Sequence, residues 1–209
     1  MPKGMRSGSF LLAWMLLGLP AAAAESPEAA PRCPEGTTLE RNQGRRSAWC
    51  ARPDDTQHGP SFSWYEDGQP RAQAEFSEGK LDGEYQEWHS NGKLKEKGRY
   101  ENGEREGPYT VWFREGAKAS EETYRGGQVQ GIQTLWHKNG QMFARSVFKD
   151  GERHGEAETW YEDGTLQTRG QFDHGEYHGS WTGWWENGKK KKVAEFDHGK
   201  EISREFHPE

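Results

Sequence analysis

A glycine recurs every 24 residues through most of this chain, at Gly59, Gly83, Gly107, Gly131, Gly155 and Gly179, and the interval never slips. Five residues after each stands a tryptophan: Trp64, Trp88, Trp112, Trp136, Trp160 and Trp184. The next position always holds a ring: Tyr65, His89, Phe113, His137, Tyr161 and Trp185. A second glycine column runs from Gly68 to Gly188, an aromatic column from Phe76 to Phe196, and a third glycine column from Gly79 to Gly199. A fixed period of this length means one supersecondary unit copied along the chain, each copy burying its apolar face only against its neighbours.

Each unit reads as a β-hairpin. Asp67, Asn91, Glu115, Asn139, Asp163 and Asn187 precede the second glycine, and Asn-Gly or Asp-Gly signals a two-residue type I′ turn with positive φ at both positions. Glu115 departs from that rule, so the third turn is expected to be looser. The third glycine and the next unit's first glycine frame a longer turn, as in Asp150-Gly151-Glu152-Arg153-His154-Gly155. About twelve strands then follow one another as an antiparallel meander.

That register sets His89 opposite Leu94, Tyr85 opposite Gly98, Trp181 opposite Ala194, and the aromatic column opposite the first glycines. It sets Arg71, Lys95, Ala119, Phe143, Gln167 and Lys191 opposite the tryptophans. Arg71, Lys95 and Lys191 would lie over Trp64, Trp88 and Trp184 as cationic lids. Trp112 and Trp136, facing Ala119 and Phe143, would be left open, so Trp112, Trp136 and Phe143 are the expected partner-binding centre.

Leu, Ile, Val and Phe number only 25 of 209 residues, about 12%. No thick aliphatic core and no multi-span membrane protein can be built from that. Ten Trp among 12% aromatics supply the burial instead. Ahead of the repeats, Lys3 and Arg6, the apolar run Phe10 to Leu19 and Ala21 to Ala24 read as a secretory signal cut before Glu25. Cleavage takes the net charge from −6 to −8, so no attraction to nucleic acid or anionic membrane is expected. In an oxidising compartment the two cysteines, Cys33 and Cys50, read as a disulfide. With Leu39 and Trp49 their segment would cap the first strand.

The expected fold is all-β: an elongated antiparallel meander of six 24-residue hairpins forming an open twisted sheet with an N-terminal disulfide cap. Its divisions are 1–24 signal peptide, 25–57 cap, 58–202 repeats and 203–209 tail. Lys189 to Lys192 read as protection of the sheet edge, and Ile202 to Phe206 as a short closing strand, with Ser203 in the glycine position. His154, His174, His178 and His198 fall at the turns of the last two units and read as polar turn residues; converging imidazoles are the metal-site alternative. No cofactor, metal or catalytic residue is expected, since no acid/base pair or nucleophile motif stands out.

The run Trp88-His89-Ser90-Asn91-Gly92-Lys93-Leu94 followed by Tyr100-Glu101-Asn102-Gly103 resembles the MORN-repeat variant family, over about residues 58–202. Members of that family are often labelled antitoxins. The resemblance implies an open sheet of hairpins engaged in protein or lipid contact and no catalytic residues; the signal peptide departs from an intracellular antitoxin. A weaker similarity is to Trp-rich cell-wall-binding repeats, which have a period near 20 and Gly-Trp openings. The expected function is an exported, non-enzymatic scaffold binding a protein partner. The alternatives are an envelope-polysaccharide binder using the Trp row and a secreted antitoxin- or immunity-like protein.

Overall fold

The computed structural model describes residues 31–209, so the signal peptide and its cleavage before Glu25 lie outside the described residues. One antiparallel sheet contains all sixteen strands in chain order and stays open at both ends. A cap hairpin, β1 (Thr38–Asn42) and β2 (Ser47–Ala51), leads into the hairpins β3 (Gln57–Trp64) with β4 (Pro70–Ser77) and β5 (Lys80–Trp88) with β6 (Leu94–Glu101). The third hairpin's first strand is broken at Glu106 into β7 (Glu104–Arg105) and β8 (Gly107–Trp112), both on β6, and returns as β9 (Lys118–Arg125). Then come β10 (Gln128–Trp136) with β11 (Met142–Lys149), β12 (Glu152–Trp160) with β13 (Leu166–Asp173), and β14 (Glu176–Trp184) with β15 (Lys190–Asp197). A closing strand, β16 (Lys200–Phe206), ends the sheet. Fifteen strand positions at about 4.8 Å give an array about 65–70 Å long.

The two turn types are the reverse of the sequence expectation. At the second glycine column a type I turn is followed by a left-handed glycine: Gly92 N–H donates to His89 C=O (2.9 Å), His89 N–H to Lys93 C=O (2.8 Å), and φ is +79° at Gly92 but not positive at Asn91. This three-residue loop ends in a glycine bulge. Asn91 serves it differently, accepting the Lys93 N–H on Oδ1 (3.2 Å). Glu115 fits the same turn, with Gly116 N–H donating to Phe113 C=O at 2.8 Å, because its position needs no positive φ. The expected looseness there is not found.

The type I′ turns lie between units instead. Both central residues have positive φ at Glu78-Gly79, Asn102-Gly103, Gly126-Gly127, Asp150-Gly151, His174-Gly175 and His198-Gly199. The longer turn expected around Asp150 to Gly155 is therefore a two-residue turn followed by a bulged strand. In β5, Leu81 pairs with Phe76 and Tyr85 with Ala74, so β5 holds two more residues than β4 across that stretch. Gly83 sits in this bulge at φ +129°, where a Cβ would come 2.7 Å from Glu75 Cβ. Bulges of this kind bend and twist a strand. In β16, where Ser203 takes the glycine position, only one residue is extra.

Pairing away from the turns agrees with the sequence reading. Gly59, Gly83, Gly107, Gly131, Gly155 and Gly179 face Phe76, Tyr100, Tyr124, Phe148, Phe172 and Phe196. Tyr85 faces Gly98 and Trp181 faces Ala194. The interior is a single layer of rings over small residues. Tyr109, 1% exposed, lies across Gly98 so closely that a Cβ there would be 2.1 Å from its ring. Tyr85, Tyr100, Tyr109 and Tyr124 form an edge-to-face ladder with centroids 5.6–6.4 Å apart.

At the N-terminal end Cys33 and Cys50 form a disulfide, and Pro34 packs against Gly59. Leu39 pairs with Cys50, and Trp49 with Ser61. The Lys189 to Lys192 run is not at the edge. Lys190 to Lys192 belong to β15, which is paired on both sides, and β16 forms the outer edge.

Candidate functional site

The glycine-bulge loop moves each tryptophan one residue from its expected partner. Trp64, Trp88, Trp112, Trp136, Trp160 and Trp184 pair with Pro70, Leu94, Lys118, Met142, Leu166 and Lys190. The residues expected opposite them are the extra ones of the bulge, and two of them, Lys191 and Phe143, pack on the ring that follows the tryptophan. Lys191 Nζ lies 4.1 Å from the Trp185 ring centre, and Phe143 meets His137 edge-on at 5.0 Å. Lys95 is paired with Glu87 at 3.0 Å. The expected lids over Trp88 and Trp184 are thus absent, while Trp136, expected to be open, has Lys118 Nζ 5.6 Å from its centre. Trp112 and Trp136 are half-buried and Phe143 is 41% exposed.

Four of the six rings that follow the tryptophans hold the next unit. Tyr65 Oη donates to Trp88 C=O (2.6 Å) and Tyr161 Oη to Trp184 C=O (2.8 Å). His89 Nε2 and His137 Nε2 bond to the carbonyls of Trp112 and Trp160, both at 3.0 Å. Each fastens its unit to the next. Phe113 has no polar atom with which to do so.

Elsewhere on the ring face, Glu87 and Glu96 stand directly opposite each other. Tyr109 Oη donates to Glu96 (2.7 Å) and Tyr85 Oη to Glu87 (3.2 Å). Burial, then the hydrogen bond to Glu87, raises the Glu96 carboxyl above its ordinary pKa. Burial pushes Glu87 the same way, but hydrogen bonds to Glu96 and Lys95 outweigh it and hold Glu87 below its ordinary value. Glu87 therefore gives up its proton before Glu96 does as pH rises. The pair's visible partners are the tyrosine ladder and Lys95, which makes it part of the packing. Sequence inspection missed it because the two residues are nine apart and meet only through the strand register.

The ring face opens at its C-terminal end into a groove of about 390 Å³. Tyr177, Trp181, Phe196 and Phe206 line it together with Lys191 and Lys192. Tyr177, 44% exposed, packs against Trp181 and Phe196 with centroids 4.7 and 5.2 Å apart. Lys192 is paired with Glu201 at 3.1 Å. Sequence reading noted Trp181 but not the groove. The available signal was Tyr177, whose equivalents in earlier units are Leu81, Arg105, Val129 and Arg153.

At the type I′ turns of the last two units, His154, Asp173 and His174 form one cluster and His178, Asp197 and His198 another, each with its ligand atoms within 4.8 Å of one another. The sequence placed these histidines at turns. Their convergence on a carboxylate follows from the backbone bonds that fold each turn over the strand two positions back, Gly175 N–H to Arg153 C=O and Gly199 N–H to Tyr177 C=O, both 2.9 Å.

These features define a class: a single-layer open sheet of stacked hairpins, fastened unit to unit and presenting a ring-lined face. Sequence comparison then gives the family. The chain belongs to the MORN repeat variant family, whose profile matches residues 57–78, 81–102, 153–174 and 177–198, the first two and last two hairpins. No curated protein matches the chain. Among solved structures, a chain of the GtfA/B complex bound to UDP and GlcNAc is similar over 76% of this chain, at 13% identity and a TM-score of 0.23. This chain spans 29% of that one, and at that TM-score the likeness carries no argument.

Proposed function

We propose that this protein is an exported, non-catalytic scaffold that captures a protein partner on the ring face of its sheet. Residues 1–24 serve as the export signal, 25–57 as the cap, 58–202 as the binding array and 203–209 as the tail. The observation that carries the reading is the aromatic groove beside Lys191 and Lys192. Exposed rings that already pack against one another offer contact area at low entropic cost, and Lys191, whose ammonium rests on the Trp185 ring, favours a partner segment whose apolar side chain is flanked by a carboxylate. Phe143 stands at the same repeat position as Lys191, two units away, and extends that surface toward the middle of the array. The Cys33–Cys50 disulfide supports an oxidising compartment.

The test is a photo-crosslinking amino acid placed at Tyr177 in exporting cells, followed by binding of the captured partner to purified variants. Tyr177→Ala with Trp181→Ala should abolish binding, and Trp112→Ala with Trp136→Ala should leave it intact. The opposite result would move the contact to the tryptophan row. Crosslinks to envelope polysaccharide alone would make the protein a glycan binder. A single toxin as partner would make it an immunity protein.

A further inference from the structure

We infer that the last two inter-unit turns form a duplicated binding site for a divalent first-row transition metal such as Zn²⁺, with His154, Asp173 and His174 as one ligand set and His178, Asp197 and His198 as the other. In the first set Asp173 Oδ1 lies 3.2 Å from His154 Nδ1 and 2.8 Å from His174 Nδ1. In the second, Asp197 Oδ1 lies 2.7 Å from His198 Nδ1, with His178 inside the same 4.8 Å limit. A tetrahedral zinc with bonds of about 2.0–2.2 Å holds its ligand atoms about 3.3–3.5 Å apart, so the close carboxylate–imidazole pairs would open by less than about 1 Å and a pair at the 4.8 Å limit would close by little more than that, movements that side-chain rotation supplies. Two imidazoles and a carboxylate are a donor set suited to zinc, and they leave the fourth position to water.

The same positions in other units show why this is more than ordinary turn polarity. There the strand residue and the turn residue complement each other: Gln130 Nε2 donates to Asp150 Oδ1 at 3.0 Å, and Glu106 accepts the Gly126 N–H at 2.8 Å. In the last two units both members are imidazoles, with ring centroids 5.3 and 5.6 Å apart. The residue before the turn is Ser77, Glu101, Arg125 or Lys149 in the earlier units and becomes Asp173 and Asp197 only here. A second observation points the same way. The Nδ1 atoms of His154 and His178 are shielded from solvent and make no well-directed hydrogen bond, the first despite lying 3.2 Å from the Asp173 carboxylate, although each imidazole nitrogen calls for a donor or acceptor. His58 Nδ1 is also orphaned, but its set has a single imidazole, and Arg52 already holds the one carboxylate, Glu78.

The two sites repeat with the array, so the ions would sit about 9–10 Å apart, two strand spacings along one edge of the sheet. Each would tie a type I′ turn to the strand over which it folds and so clamp the C-terminal units beside the groove.

The purified full chain, stripped with EDTA, is titrated with ZnCl₂ by calorimetry, with elemental analysis counting the bound metal. His174→Asn and His198→Asn test the ligands without disturbing the turns, since Asn102 holds the equivalent position with φ +52°. Wild type should bind two zinc ions per chain, each single variant one, and the double variant none. Zinc should raise the melting temperature of wild type but not of the double variant, while the metal-free proteins melt alike. A wild type that binds no zinc, or a double variant that binds as much as wild type, overturns the assignment.

Discussion

Phe113→Tyr should make the array more stable. Phe113 occupies the column in which Tyr65, His89, His137 and Tyr161 bond to the next unit's tryptophan carbonyl at 2.6–3.0 Å. A tyrosine there adds one hydroxyl where the neighbouring units already direct a donor, toward the carbonyl of Trp136. A half-buried neutral hydrogen bond adds about 0.5–1.5 kcal/mol net. For a chain of this size that raises the melting temperature by about 1–6 °C. The reciprocal change, Tyr161→Phe, removes a 2.8 Å bond to the carbonyl of Trp184 and should cost about 1–2 kcal/mol, because the carbonyl loses its partner as well. Stacked hairpins open locally, so hydrogen exchange resolves the effect better than a single melt. Amide protection should rise in β8 to β10 for Phe113→Tyr and fall in β12 to β14 for Tyr161→Phe. If Tyr161→Phe and Tyr65→Phe leave protection and melting unchanged, the ring column is packing alone and the fastening argument fails.

Gly140→Val should destabilise the fourth hairpin by about 1–2 kcal/mol, since φ there is +87° while the space around the position is open; limited proteolysis should cut first near residue 140, and uniform resistance would count against the left-handed turn. Glu96→Gln should stabilise at neutral pH by a few tenths to about 1 kcal/mol by removing the like charge facing Glu87. Because the folded state raises the Glu96 pKa, the contribution of Glu96 is full below the unfolded carboxylate value and falls as pH rises through the folded one. The variant's advantage in urea unfolding should therefore grow from about pH 4 to pH 7, and a constant or shrinking difference would contradict the pairing. Gly98→Ala should cost about 1–3 kcal/mol, because the new methyl meets the Tyr109 ring at 2.1 Å; adding Tyr109→Leu should recover part of the loss in thermal unfolding.

Much of the fold is legible in the chain because its causes are local and periodic. The 24-residue interval, the paired glycines and the ring that faces each first glycine specify hairpins in sequence, and the lone cysteine pair specifies the cap disulfide. Asn-Gly and Asp-Gly locate a turn, but they do not by themselves separate a two-residue type I′ loop from a type I turn closed by a glycine bulge. The two differ by one residue of register. In a strand whose side chains alternate, one residue carries a side chain to the other face. That single step takes Lys191 and Phe143 away from the tryptophan row and sets them on Trp185 and His137. The turn histidines show the same division. Their positions were readable in the sequence, but only the folding of each type I′ turn over the strand two positions back brings His154 to Asp173 and His174. Composition and period fixed which elements form. Register, bulges and turn geometry, which depend on how neighbouring strands share their hydrogen bonds, decided which side chains meet.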